Sequence, residues 1–428
     1  MARSGDWITP HLWGHPWFEK SPLLYWMTGL ATLLEFGPEL APRLPVAATA
    51  FGLIVFLYLF LKPRLGCDIA THSAILLAGS AGWLAFGGVG VTDVLLTANL
   101  TVSVLLVLFG GPAWLAGVFL GLAALAKGLV PIALFLPLIW WLYRSKRLRD
   151  LFWVAATGLI VAGPWYVAIT WRHGRAFFDE FILKQHLGRF ADASLQHGRP
   201  FWFYVPVLAL ILLPWTALLP LVFWRRTAFT NGFLNDTRLR FLAAWAVFVL
   251  IFFSAFMNKL PGYILPLLPV TCILLAAALE DMRGAGFILD FTAVVLVAVG
   301  PPILQVLPRL LTDGWKKTTF STGEAWFLLP GLLIGFLFYW LDHSRRRTLA
   351  LCGMSCLMMS ALLWVKWGPI ASEVDRLASA RSLSKTASKD GCVHPGDRDL
   401  RYGLSYYWNF EVPICNDATL YKRIVQQP

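Results

Sequence analysis

Apolar and polar positions fall into long alternating blocks along this chain. Apolar runs cover Leu44–Leu61, Ile69–Phe86, Val94–Phe109, Ala113–Ala126, Leu129–Tyr143 and Leu151–Trp171. Further runs cover Phe203–Trp224, Phe241–Met257, Tyr263–Leu279, Phe287–Leu307, Ala325–Leu341 and Leu349–Trp364. Crossing the hydrocarbon takes about 20 mostly apolar residues, so the pattern predicts a polytopic α-helical membrane protein with about twelve transmembrane helices. The third to fifth runs are short, and one of them could be re-entrant. If every run spans, the basic loops all fall on one side: Lys62 and Arg64, then Arg144, Lys146, Arg147 and Arg149, then Arg225, Arg226, Arg238 and Arg240, then Arg283, and last Arg345, Arg346 and Arg347. Excess Lys and Arg mark the cytoplasmic side. The opposite side then holds Met1–Arg43, the loop Trp171–Trp202, the short Asn258–Gly262 and the tail from Gly368 to Pro428.

Composition agrees. Of the 428 residues 58% are hydrophobic and 14% charged, far from the roughly 25% charged of a soluble domain, and disordered chains are apolar-poor. A net charge of +12 would suit a nucleic-acid binder, but the cations sit in loops between spans. The organisation expected is a first outer loop over residues 1–43, a membrane domain over 44–367 with its large loop at 171–202, and a small outer domain over 368–428.

Ionisable residues concentrate on the outer segments. Ser21-Pro22 opens a helical pattern, Ser as N-cap and Pro at the first helical position. Leu23, Trp26, Met27, Leu30, Leu33 and Leu34 follow at helical spacing and predict an amphipathic helix on the membrane surface. Just before it, Glu19 and Lys20 could be a solvated pair, or could hold a metal or hydroxyl and a phosphate. Asp93 stands alone among apolar residues at the outer end of a run, as a helix cap or a functional acid. Lys127 ends its run facing outward, either snorkelling to the interface or neutralising a phosphate. The large loop gathers Asp179, Glu180, Lys184, His186, Arg189, Asp192, His197 and Arg199, in no recognised zinc spacing. Lys259 and Tyr263 lie at bilayer-surface depth, suited to a lipid phosphate or to simple anchoring.

The tail carries Cys392 and Cys415, its only cysteines. A domain of about 60 residues has a marginal core, and the periplasm is oxidising. A Cys392–Cys415 disulfide is therefore expected, with about 3 kcal/mol of loop-entropy stabilisation. Leu400–Trp408 reads as a strand and Ser379–Ser388 as a small helix or loop, an α+β arrangement.

Several motifs together resemble a known family. Ser4-Gly5-Asp6-Trp7-Ile8-Thr9-Pro10 and Phe18-Glu19-Lys20-Ser21-Pro22-Leu23-Leu24-Tyr25-Trp26 resemble the first periplasmic loop of bacterial aminoarabinose (lipid A) transferases and of protein O-mannosyltransferases, members of the GT-C superfamily (glycosyltransferase family 39-like). Thr92-Asp93 resembles the family's second acidic motif, and Leu122–Gly128 its G-L-A-x-L-x-K-G segment. His186–Phe190 with His197–Tyr204 is similar to its large loop, and Lys259–Pro266 to K-L-P-x-Y-x-L-P. The likeness runs from Arg3 to about Pro269; beyond Leu279 only the pattern of spans and a tail continues.

The resemblance implies transfer of a sugar, with inversion, from a polyprenyl-phosphate donor to an envelope acceptor, lipid A or protein, at the periplasmic face of the inner membrane. It implies Lys20, Lys127, Arg189, Lys259 and Tyr263 as donor-phosphate ligands, by preorganised electrostatics. Glu19 and Asp93 would be catalytic carboxylates, and Glu19 with His186 or His197 would hold a divalent metal. The family has a transmembrane helix and a further acidic motif before the position of Met1, so the chain is expected to be truncated at its N-terminus. Two rival readings remain: a lipid-linked sugar transporter or flippase, against which stand the lack of internal repeats and the outer clustering of ionisable residues, with Asp290 as the exception, and an inactive truncated homologue.

Overall fold

The computed structural model describes residues 1–2, 4–12, 14–188, 199–219, 236–280, 380–387, 389, 391–394 and 397–415. The expected spans over 287–307, 325–341 and 349–364, and residues Arg189 and His197, lie outside the described residues. So does the side chain of His186.

In hydrocarbon a backbone must satisfy its own N–H and C=O groups, which a helix does within one segment. The apolar runs among the described residues accordingly fold as helices, and so does the segment after Pro22. They are α1 (Leu23–Leu33), α2 (Leu44–Leu65), α3 (Cys67–Ala78), α4 (Ala81–Gly87), α5 (Thr92–Leu108), α6 (Ala113–Lys127), α7 (Val130–Arg144), α8 (Leu148–His173), α9 (Tyr204–Ile211), α10 (Thr237–Ala255) and α11 (Leu267–Glu280). Among the described residues α2, α8 and α10, with 22, 26 and 19 residues, are long and apolar enough to cross a membrane, and α3 with α4 make a fourth span if counted together.

That fourth span is where the chain breaks. The sequence points to the third to fifth runs for a re-entrant segment; the structure instead bends the second run by 60° between α3 and α4. The freed backbone is satisfied locally: the Ala81 amide donates to the Leu213 carbonyl at 2.7 Å, and the Ser80 hydroxyl donates to Leu76 O at 2.6 Å. At the break Trp215 lies against Gly79, where a Cβ would come within 2.8 Å of the indole.

α1 also begins differently from expectation. Pro22 rather than Ser21 occupies the cap position, and no side chain caps the helix. The Ser21 side chain is buried against the protein instead. α1 turns Leu23, Leu24, Gly29 and Ala31 inward and leaves Leu30, Leu33 and Leu34 exposed.

α6 is held between α5 and α8. On one face the Ser103 hydroxyl of α5 donates to the Ala116 carbonyl at 2.8 Å. On the other, Gly117 and Gly121, four apart, let α8 approach closely, the small-residue crossing usual in membranes. A Cβ on Gly121 would lie 2.8 Å from the Gly158 carbonyl, and one on Gly117 would collide with Thr157 and Val154.

Cations from three distant segments, the last turn of α2, the residue before α8 and the first turn of α10, meet at the C-terminal end of α5. Arg64 donates to Phe109 O at 3.5 Å, Arg147 donates to Val107 O at 2.8 Å, and Arg238 stacks 4.7 Å from the Phe109 ring. Guanidinium groups there satisfy the last carbonyls and oppose the negative pole of the helix. Asp93 lies at the opposite end of the same helix, in its first turn.

The described tail belongs to the second of two compact units. Here the expected strand is corrected. Residues 398–408 form a helix, α13 (Arg398–Trp408), preceded by α12 (Ala380–Thr386). Leu400, Leu404 and Trp408 recur every fourth residue and pack with Val393, Val412 and Leu383, a helical period that outweighs aromatic strand propensity. Instead of an α+β layer, the described part has one isolated parallel bridge, Val393 with Ile414. Cys392 and Cys415, flanking that bridge, are joined in a disulfide.

Candidate active site

Four of the residues expected at a site come together where α6 ends and α1 begins. A cavity of about 170 Å³ is lined by Glu19, Lys20, Lys127, Gln185, Phe256 and Tyr263, among others. Glu19 and Lys20 reach it from the loop before α1 and are half-buried. Lys127 is the last residue of α6, so its position follows from the length of that helix.

Asp93 stands behind this wall. It forms an ion pair with Lys127, the two side chains being 17% and 16% exposed. The first turn of α5 favours a carboxylate through the helix dipole. The Lys127 ammonium also sits 4.3 Å from the centre of the Tyr263 ring, a cation–π contact. Tyr263 belongs to the turn Pro261–Ile264. That turn can come this close because residue 262 is glycine: a Cβ there would lie 3.1 Å from the Asp93 carboxyl carbon and 3.1 Å from Phe86. Asp93, Lys127 and Tyr263, far apart in sequence, thus form one contact chain.

Lys259 does not line this cavity. Its ammonium donates to the Arg199 carbonyl at 3.0 Å and to the Phe256 carbonyl. Phe256 is the C-cap of α10, so Lys259 satisfies a helix end. Burial pushes its ammonium below the usual lysine range.

The large loop contributes two residues that its charge pattern does not single out. A π-helix over Phe178–Gly188 carries Phe181 and Gln185 to the cavity. The Gln185 amide donates to Glu180 at 3.0 Å, and Lys184 donates to the other Glu180 oxygen at 3.0 Å. Burial raises the Glu180 carboxyl, but these two partners outweigh it and leave the group below its ordinary value. Beside Glu19, burial together with that carboxylate pushes the Tyr25 phenol up to about 12.

The loop bearing Glu19 and Lys20 is folded back on itself. Strands β1 (His11–Leu12) and β2 (His15–Pro16) pair antiparallel. Asp6 accepts from the Ile8 and Thr9 amides at 3.0 Å and pairs with Arg172 at 2.9 Å. Burial raises the Asp6 carboxyl, but the amides and the guanidinium prevail and hold it below the usual carboxylate range.

An apolar groove of about 870 Å³ lies beside the cavity, between α6, α7 and α8. Gly121, Ile132, Phe135, Leu159 and Val167 line it, and Leu129 borders both spaces. Among the described residues no three His, Cys, Asp or Glu side chains gather as a metal-ligand set. Of the expected set only the Glu19 side chain is described.

The chain was compared with known proteins. No family profile matches it. It is 30% identical over 371 residues to the undecaprenyl phosphate-alpha-4-amino-4-deoxy-L-arabinose arabinosyl transferase of Serratia proteamaculans, covering 79% of this chain and 63% of the relative. The protein of that name from Pseudomonas paraeruginosa is 33% identical over 306 residues, covering 67% and 54%. The one from Yersinia enterocolitica is 30% identical over 397 residues, covering 79% and 70%. The chain thus spans little more than half of some relatives. In fold it is similar to the crystal structure of ArnT from Cupriavidus metallidurans bound to undecaprenyl phosphate, with a TM-score of 0.77 and 20% identity over 98% of this chain and 80% of that one. With helices long enough to span a membrane, that fold, and nearly a third of its residues shared over most of its length, the chain belongs to the family of undecaprenyl phosphate-aminoarabinose arabinosyl transferases.

Proposed function

We propose that this protein is an integral-membrane glycosyltransferase. It moves an aminoarabinose-type sugar from undecaprenyl phosphate to an envelope acceptor, lipid A in this reading, at the periplasmic face of the inner membrane. The observation that carries the proposal is the cavity where Glu19, Lys20, Lys127 and Tyr263 converge, beside an apolar groove. The headgroup phosphate takes the cavity and the polyprenyl chain the groove.

In the transfer step an acceptor oxygen bonds to the anomeric carbon of the sugar as the bond from that carbon to the phosphate oxygen breaks. The electron pair leaves with the phosphate, whose growing charge Lys20 offsets from a preorganised site. Glu19 takes the acceptor's proton or orients the acceptor. Lys127 is shared with Asp93, so its pull on the phosphate is weaker, and Asp93 holds that ammonium and, through it, Tyr263 in place. Among the described residues no three His, Cys, Asp or Glu side chains gather beside Glu19. About twelve transmembrane helices, and a soluble periplasmic tail from residue 368 onward, complete the reading.

Radiolabelled transfer from an undecaprenyl phosphate-linked sugar to lipid A in proteoliposomes tests it. Transfer by the chain and its loss in Lys20→Ala, with expression intact, is the expected result. Full transfer in Lys20→Ala sinks the donor-phosphate role. Movement of the donor lipid without transfer favours a flippase instead.

A further inference from the structure

The structure assigns a positioning role to His173: the imidazole at the end of α8 grips both ends of the β1–β2 hairpin and so fixes where Glu19 and Lys20 stand. The proposal rests on the reading of Lys20 as a donor-phosphate ligand.

At the entering end of the hairpin, the Thr9 hydroxyl and the His173 Nε2 share a hydrogen bond of 2.9 Å, and Thr9 is 1% exposed. At the leaving end, the Phe18 ring packs 5.0 Å from the imidazole and 5.5 Å from Phe177. The two ends are tied by the Trp17 amide, which donates to Pro10 O at 2.7 Å. Neighbouring contacts from the same stretch of α8 act in the same sense. The Trp165 indole donates to Ile8 O at 2.9 Å, and Arg172 pairs with Asp6.

Phe18 is bonded directly to Glu19, so a shift of Phe18 moves the backbone that carries the cavity's carboxylate and ammonium. The hairpin closes at Pro16, and the next two residues, Trp17 and Phe18, carry its hold directly to Glu19. A misplacement of about 1 Å at a reacting group can cost on the order of a hundredfold. His173 and Thr9 do not line the cavity; they act through Phe18-Glu19-Lys20.

The test uses the full chain in lipid nanodiscs with undecaprenyl phosphate as the probe. Thr9→Val removes the hydroxyl and keeps the shape, Thr9→Ser keeps the hydroxyl, and His173→Phe keeps the ring and loses the hydrogen bond. Each is made with native Lys20 and with Lys20→Ala. Thr9→Val and His173→Phe should weaken binding about tenfold when Lys20 is present and by less than about twofold in the Lys20→Ala background, since coupled residues are not additive. Thr9→Ser should stay within about twofold of the parent. Equal losses in both backgrounds, or native binding in Thr9→Val, overturn the proposal.

Hydrogen exchange at the amides of residues 18–21 supplies an arm independent of ligand. It should quicken in Thr9→Val and not in Thr9→Ser, and unchanged exchange in Thr9→Val also overturns the proposal. If the parent chain binds no undecaprenyl phosphate, the functional reading fails, and the exchange arm decides the positioning role by itself.

Discussion

The two helices that flank α6 meet the membrane in opposite ways. α8 leaves Leu159, Ile160 and Val167 about 70% exposed along its middle and confines its charges to the two ends, Asp150 at one and Arg172 with His173 at the other. α5 is shorter, with 17 residues, and every residue but Asp93 is buried. It carries Thr97, Asn99, Thr101 and Ser103 among its neighbours. A helix facing lipid has only to be apolar, whereas an enclosed one must match its neighbours in shape; of these four side chains Ser103 reaches a neighbouring helix, and Asn99 donates back to Leu95 O of its own. The enclosed helix is also the one whose first turn, through Asp93, pairs with the cavity residue Lys127.

The sharpest break of this contrast is at Lys127. Lys127→Met leaves the Asp93 carboxylate at the head of α5 without its ion-pair partner, and the expected loss is about 4 kcal/mol. Unfolding in detergent measures it, and adding Asp93→Leu should restore most of the loss; a single variant as stable as the parent would show that solvent already carries the charge. Next in size is a matched pair of truncations. Leu105→Ala on α5 opens a packed interior and should cost about 3 kcal/mol, while Leu159→Ala on α8 should cost less than about 0.5 kcal/mol. Equal shifts of the two unfolding midpoints would erase the distinction between the helices.

Gly121→Leu tests the crossing that joins α8 to the rest. With backbone in the way, it should destabilise by about 2 kcal/mol through overpacking, while Gly163→Leu, where nothing lies near a Cβ, should be close to neutral in the same assay. The smallest effect belongs to Asp6 and Arg172 at the C-terminal end of α8. The folded pKa of Asp6 lies below its ordinary value of 3.8. Its stabilisation is therefore present above that value and is lost as pH falls through the lower, folded one. Arg172 is half exposed, so the loss should be under about 1 kcal/mol. It is read as faster amide exchange of residues 6–9 at acid pH, absent in Asp6→Asn.

These contrasts explain what was legible in the chain. Hydropathy finds α2, α8 and α10 because lipid demands little else of them. It finds α5 only as a short run, and gives no sign that Ser103 reaches Ala116 or that Asp93 pairs with Lys127, since those partners are set by packing between distant segments. Glu19, Lys20, Lys127 and Tyr263 were visible as ionisable or aromatic residues at one predicted depth. Lys259 had the same signature, yet it serves a helix end, because depth alone does not say which way an ammonium turns. Gln185 and Phe181 had no distinguishing signal: they reach the cavity through the wide turn of a π-helix, whose period an ordinary helical wheel misplaces. In the tail, aromatic content pointed to a strand, while the spacing of Leu400, Leu404 and Trp408 already held the helix.

α6 is a partition with a room on either side. Its last residue, Lys127, faces the charged cavity, while Gly121 and Ala124 on the same rod face the apolar groove. Gly117 and Gly121 leave no slack between this partition and α8. One helix thus supplies lining to both spaces, so its seating against α8 sets the walls of the two together.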